Sequence, residues 1–384
     1  LLRLAAVGLL GAAVASAASC DAGDQHEQRT VGPAIRILGV SVGDGRPMPA
    51  DGAIQIAFDR YLLPSSVNRQ SIAILDGSNR PLPAELAPVV QYDPVARTVT
   101  LRPPRQPWLT EGQPYKLLLG IPEGDSDTGG VRAIDRAKLF EGQPRLFAFF
   151  VGPKAGQPIE PTVSFCRDVL PIFVAKCNVP TCHGSGTSAA ASLVLDTSAG
   201  VSATAIGRVA QGSNTGGLAG TPVPPGRVFG VDMPLVDPGN PGNSWLLYKV
   251  EMARPPVVDA GAKSNIQCAG GGVAPQTPFA FSPLAREAQR SADEIERGIL
   301  HDYVPGREMP FPLPSVGGYA DQPLTFDERE IIRLWIQGLA PGAAVPECGG
   351  CGIVAGPAPA PADAGVGDAS SNAGGPDAAD ASDQ

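Results

Sequence analysis

Between residues 34 and 152 the chain runs in short apolar or alternating stretches: IRILGVSV, AIQIAFD, SIAILD, RTVTLRP, YKLLLG and LFAFFVG. Pro, Gly, Asp and Asn separate them. A period of two, broken by turn formers, predicts the strands of an antiparallel sandwich, and no helical period competes with it. After a Gly- and Pro-rich linker over 153–162 the pattern changes. In SFCRDVLPIFVAKC the residues Phe165, Val169, Ile172, Phe173 and Lys176 fall at helical spacing, with Ser164 as cap and Pro171 bending or interrupting the turn. SWLLYKVEM, after the turn-rich DPGNPGN, reads as a helix with a marked start. Two further helices are expected. One runs from about Leu284 to Tyr303 and stacks Leu284, Ala288, Ile295 and Ile299. The other opens on Thr325 and Glu328 in capping-box register and carries Ile331, Ile332, Trp335 and Leu339. The patterning therefore predicts a multidomain chain: an all-β sandwich over 34–152, then a mainly α domain over 163–351.

Both ends depart from this globular pattern. Arg3 precedes an apolar run of small residues ending at Cys20, which reads as a secretory signal over 1–20 and is too short to span a membrane comfortably. Ala17-Ala18-Ser19-Cys20 resembles a bacterial lipobox with Ala at its first position, where Leu is usual. Cys20 is thus the expected lipid acceptor, with ordinary signal-peptidase cleavage as the rival. Polar residues 21–33 form a flexible tether, and the Ala, Pro, Gly, Ser and Asp tail over 352–384 has too little apolar surface to offset the entropy of ordering. The expected location is the cell envelope, lipid-anchored and facing the periplasm or the cell surface.

Charge narrows the partners. The 384 residues carry a net charge of −9, and no basic cluster is present that could neutralise phosphates, so nucleic acid is not expected as a partner.

Export also changes how cysteines are read, because an oxidising compartment permits disulfides. Without Cys20, six remain: Cys166, Cys177, Cys182, Cys268, Cys348 and Cys351. An even remainder fits bridges throughout, or two thioethers and two bridges. In CNVPTCHGSG, Cys177 and Cys182 are followed directly by His183. A disulfide across Asn-Val-Pro-Thr would leave His183 without a role. Zinc would need about four converging ligands, which adjacent Cys182 and His183 seldom supply. Haem uses all three: two thioethers to the porphyrin and an imidazole on the iron, with a C-x4-C-H spacer in place of the usual C-x-x-C-H. Pro180 and Thr181 suit the outward bulge this spacing demands. For the opposite side of the iron, Met309 in GREMPFP is the first candidate, His301 the second and Met233 the third. Ligation on both sides would close the iron to substrate, which points to an electron carrier rather than a catalyst.

Two resemblances follow from these motifs. Pro49, Asp51 and Gly52 before AIQIAFD, the later TVTL and the closing FFV resemble bacterial Ig-like domains of exported surface proteins. That likeness implies a spacer or adhesion module. The ordered blocks FCRDVLPIFVAKCNVPTCHGSG with SLVLDTS, VDPGNPGNSWLLYKV, GREMPFP and LTFDEREIIRLWIQGLAPGA resemble planctomycete-type cytochrome c-like domains over about Val163 to Ala343. The resemblance implies one covalent haem c on Cys177 and Cys182, His183 as proximal ligand and Met309 as the distal one. It also implies that Trp335 and Ile331 lie on a terminal helix packed near the haem-bearing one. The long Gly-rich middle between Thr197 and Leu284 departs from the family pattern and leaves His301 and Met233 open as distal ligands. Cys166, Cys268, Cys348 and Cys351 then remain for disulfides, in any of three pairings. The expected function is single-electron transfer to redox partner proteins, with the membrane reached through the N-terminal lipid. The rivals are a haem enzyme or electron-accepting dehydrogenase subunit, and a haem-free, disulfide-stapled surface or adhesion protein.

Overall fold

A computed structural model describes residues 31–43, 45, 47–105, 108–122, 129–155, 161–178, 182–185, 189–213, 229, 232–256, 266–269, 294–311 and 323–353. The signal segment with Cys20, most of the tether and the C-terminal tail lie outside them.

Eight strands build the first unit: β1 (Ile37–Val40), β2 (Met48–Pro49), β3 (Ile54–Phe58), β4 (Ile72–Leu75), β5 (Val89–Asp93), β6 (Thr98–Arg102), β7 (Pro114–Leu119) and β8 (Leu146–Gly152). They form two four-stranded sheets, β1-β3-β6-β5 and β2-β8-β7-β4, antiparallel except for the β2–β8 pair. Alternation sets the inner face: Ile54, Ile56 and Phe58 of β3, Ile72 and Ile74 of β4, and Leu117 and Leu119 of β7 are all buried in one core. The six alternating runs each yield a strand. β2 and β5 were not among them: β2 is only two residues long, and β5, VVQYD, opens on adjacent valines and alternates only over its last four residues.

The second unit differs from expectation. Among the described residues its helices are α1 (Leu170–Lys176), α2 (Ser198–Thr204), α3 (Trp245–Glu251), α4 (Glu294–Tyr303) and α5 (Phe326–Gly338), and the longest of these has 13 residues. It adds a two-stranded antiparallel sheet of β9 (Ile266–Cys268) and β10 (Cys351–Ile353). The chain is therefore mixed α and β, and the expected mainly α, cytochrome c-like domain is overturned. Among the described residues Pro241 and Gly242 give only a short 3-10 turn before α3, and Cys268 and Cys351 lie on paired strands rather than on helices. Local signals held where caps are present. Ser164 accepts from Arg167 N–H at the π-helical turn Phe165–Val169, and Thr325 with Glu328 makes the full capping box of α5. The helix expected from Leu284 is described only from Glu294.

The sandwich is fused to the helices rather than strung beside them. Trp245, Tyr248 and Met252 at α3 and Ile299, Leu300 and Val304 at α4 belong to the same apolar core as the strands. Buried charges cross this contact. Arg60 Nε donates to Glu296 Oε1 at 2.6 Å and its Nη2 to Asp135 Oδ2 at 2.8 Å. Tyr61 Oη donates to Glu251 Oε2 at 3.0 Å, which also takes Arg329 Nη1 at 3.1 Å. Burial raises the pKa of Glu251 and Glu296, and the arginines oppose the rise. A second crossing joins β5 to α5: Arg333 Nη2 meets Glu330 Oε2 at 2.7 Å and its Nε meets Asp93 Oδ2 at 3.3 Å. Burial, with Asp93 adding to it and Arg333 opposing, pushes Glu330 up to about 8.

Arg60→Ala leaves Glu296 and Asp135 buried without their cation and should cost about 3–5 kcal/mol. Urea unfolding read at Trp108, in the sandwich, and at Trp245 and Trp335, in the helices, should show a single transition. Two separated transitions would show that the shared core does not couple the units. A carboxyl raised in the folded state gives stability that is full below its unfolded value of 4.5 and is lost as pH rises through about 8. The unfolding temperature should therefore fall over that window, and Glu330→Gln should flatten the fall. An unchanged slope in the variant would assign the proton elsewhere.

Candidate functional site

The site is built at the C-terminal end of α1. Cys177 N–H and Asn178 N–H both donate to Phe173 O, at 2.8 and 3.0 Å, so the helix ends at the first cysteine. His183 N–H then donates to Cys177 O at 3.0 Å and closes the C-x4-C-H loop on itself, with Pro180 and Thr181 outside the described residues. Two further backbone bonds fix the turn, Ala190 N–H to Cys182 O at 2.6 Å and Leu195 N–H to His183 O at 2.7 Å. Asp196 Oδ2 accepts Ser185 N–H at 2.8 Å. A Cβ at Gly184 would run into Asn178 Oδ1, so a larger residue there would have to displace that side chain. The LVLD run thus supplies this turn's anchor. Asn178 and Asp196 are positioning residues that sequence reasoning did not single out.

Cys177 and Cys182 are both free thiols in the structure. Burial first, and then the neighbouring Cys182, push the Cys177 thiol up to about 12. His183 is buried, and its Nδ1 has no hydrogen-bond partner. Burial lowers its pKa, opposed by backbone hydrogen bonds with Leu193 and Ala190, so the imidazole is held neutral near pH 7. Among the described residues no group of three His, Cys, Asp or Glu side chains could hold a metal ion, so a compact zinc centre has no ligand set there.

The core around the site is aromatic. Trp335 of α5 lies 5.2 Å from Phe165 and 6.1 Å from Phe173, ring centroid to centroid. Lys176, at the end of α1, reaches Glu328 Oε2 and Pro323 O at 2.9 Å each. Glu328 therefore both caps α5 and holds it against α1. Ile331 packs at the edge of the same core.

The three distal candidates separate. Met309 is partly buried against the core that also carries Cys177, and its N–H donates to Lys249 O at 3.0 Å. Met233 is buried in the other core, with Trp245 and Tyr248. His301 has its Nε2 3.3 Å from Met252 O, on the helix whose Ile299 and Leu300 also face that other core.

The other four described cysteines form two disulfides, Cys166–Cys348 and Cys268–Cys351. The CGGC segment does not close on itself but sends one bridge to each distant partner. Loops of 182 and 83 residues are closed, each worth about 4–5 kcal/mol on chain-entropy grounds. Such bridges form in oxidising compartments, which marks the protein as exported. No described helix is long and apolar enough to cross a membrane.

No family model and no curated protein matches the chain. Solved structures give weak likenesses. The N-terminal part of the bacterial S-layer protein SbsC matches at TM-score 0.22 and 13% identity, over 35% of this chain and 27% of that one. Native E. coli alpha-2-macroglobulin matches at TM-score 0.23 and 14% identity, over 37% of this chain and 7% of that one. The chain thus spans well under a third of either neighbour, and at these scores neither bears on its fold or function.

Gly184→Ala should cost about 1–3 kcal/mol through the clash with Asn178. The double variant with Asn178→Ala should regain most of it in the same denaturation assay. No recovery would place the strain in the backbone of the turn instead.

Proposed function

We propose that the protein is an exported, envelope-anchored electron carrier with one haem c attached through Cys177 and Cys182. One observation carries this reading. The other four described cysteines are all consumed in disulfides, and the two left as thiols flank a loop that ends on a buried, neutral histidine with an unpartnered ring nitrogen.

The residues present suit the group. Cys177 and Cys182 would hold it covalently, His183 would take the proximal side of the iron, and Met309 is the distal candidate packed against the same core as Cys177. When bound, the haem supplies a one-electron Fe(III)/Fe(II) couple. The chain supplies the surroundings. Phe165, Phe173 and Trp335 keep water from the core, and the Lys176–Glu328 pair fixes α5 against the helix that leads into the site. Lys249 O holds the backbone of Met309 in place. Cys20 is the lipid acceptor in this reading, and redox proteins of the envelope are the partners.

A second reading, the haem-free, disulfide-stapled surface protein, is favoured by a different observation. Two disulfides and the buried ion pairs close the fold without any added group. It would leave the unpartnered nitrogen of His183 unexplained.

Intact-mass measurement under denaturing conditions, on protein matured in a periplasm with haem-attachment machinery, distinguishes the two. The expected mass is that of the chain with two disulfides plus one haem, with c-type bands in the reduced-minus-oxidised spectrum. Cys177→Ser with Cys182→Ser should abolish both. A Cys177–Cys182 disulfide with no added mass would overturn the haem reading in favour of the second. Met309→Ala should open the reduced iron to carbon monoxide, and an unchanged response would reject Met309 as the distal ligand.

A further inference from the structure

Four cysteines meet at one short segment. Cys348 and Cys351, separated only by Gly349 and Gly350, bridge to different elements: Cys348 to Cys166 on the π-helical turn before α1, and Cys351 to Cys268 on β9. β9 itself packs against that turn and against α1, so both bridges belong to the core around the candidate site. Cys351 is the register partner of Cys268, and the next residue, Ala269, holds the glycines. Its O accepts Gly349 N–H at 2.8 Å, and its N–H donates to Gly350 O at 3.2 Å. On the other side Cys166 Sγ lies 3.8 Å from Pro346 O and from Glu347 O, the two residues before Cys348.

The two ends of each bridge differ in access. Cys166 and Cys268 are buried, whereas Cys348 and Cys351 are half-buried and flanked by exposed Glu347, Gly349, Gly350 and Gly352. A thiolate arriving from solution therefore meets the CGGC sulfurs first, and which sulfur can be reached governs exchange. Two staples could stand anywhere in the chain. Placing their outer ends two glycines apart gives each outer sulfur a neighbour that can attack it, and glycine lets the chain fold one back onto the other.

We propose that Cys348-Gly-Gly-Cys351 is a thiol–disulfide exchange site for a protein dithiol, through which one two-electron reduction opens both bridges. One thiolate of the dithiol attacks Cys351 Sγ, and Cys268 leaves as thiolate. The second thiolate of the dithiol resolves the mixed disulfide, so the dithiol departs as a disulfide and Cys351 is left as thiolate. Cys351 then attacks Cys348 Sγ and expels Cys166. Two bridges are thereby replaced by one, Cys348–Cys351, and the two protons lost by the dithiol end on Cys166 and Cys268. The π-helical turn before α1 is released from the chain that follows α5, and β9 from β10. The proposal does not rest on the haem.

The test treats the oxidised full chain, without oxygen, with about 0.1 mM dithiothreitol, well below the mM effective concentration of groups joined by a short linker. Samples are quenched in acid with an alkylating agent, and each cysteine is mapped by peptide mass. The first reduced species is expected to carry alkyl groups on Cys166 and Cys268 and a bridge between Cys348 and Cys351. A first species alkylated at Cys268 and Cys351 with Cys166–Cys348 intact would overturn the proposal, as would one alkylated at Cys166 and Cys348 with Cys268–Cys351 intact. So would reduction of all four together, or a new bridge to Cys177 or Cys182. Cys268→Ser with Cys351→Ser removes the internal attacker, and release of Cys166 should then slow at least about tenfold at the same dithiothreitol concentration. An equal rate in a folded variant would overturn the proposal too, and the map of the unsubstituted chain decides it if the variant does not fold.

Discussion

Arg60 is the constraint on which the rest of the structure depends. Its side chain is almost wholly buried, and its two carboxylate partners come from opposite sides of the molecule: Asp135 from the sandwich and Glu296 from α4. A buried guanidinium is tolerated only if it is paired and its remaining donors are used. Here the remaining requirement is met by Pro33 O. Arg60 thus takes Asp135 and Pro33 O from its own side of the contact and Glu296 from α4, and so joins the two units. Tyr61 next in sequence repeats the device. Its backbone N–H goes to Glu296 and its hydroxyl to Glu251, which itself is neutralised by Arg329 of α5. One chain of polar contacts thus runs from β3's end through α3 and α4 to the helix that packs on the candidate site.

How much of this was legible in the sequence varies with the range of the interaction. Strands set by alternation, and the α5 start set by Thr325 and Glu328, are local patterns and came through. β5 did not, because its alternation is confined to Val90, Gln91, Tyr92 and Asp93, too short a run to stand out between Pro88 and Pro94. The helical content of the second unit was overestimated. The four motif blocks predict a mainly helical domain, while the described residues around them hold short helices, a 3-10 turn at Pro241–Asn243 and the β9–β10 pair. The fusion of the two units was invisible, since Arg60, Glu251 and Glu296 look like ordinary surface charges. Only their distant partners reveal that they are buried. At the site, Cys177, Cys182 and His183 were legible from adjacency, whereas Asn178 and Asp196 act through turn geometry that the sequence does not display. The separation of Met309 from Met233 and His301 likewise needed the two cores to be seen.

The disulfides and the candidate site are linked by the same helical turn. Cys166 lies on the π-helical turn that leads into α1, and its partner Cys348 follows α5 by a short loop. The bridge therefore ties the start of the site-bearing helix to the end of the helix that packs across it. Lys176 and Glu328 tie the other ends of the same two helices, the end of α1 to the start of α5. Phe165, Phe173 and Trp335 fill the space between those two ties. Two helices clamped at both ends, with an aromatic wedge in the middle, cannot easily slide relative to each other. The loop from Cys177 to His183 grows from that clamp. The position of Cys177 relative to the core is therefore set by a bridge, an ion pair and three rings rather than by the residues that follow it.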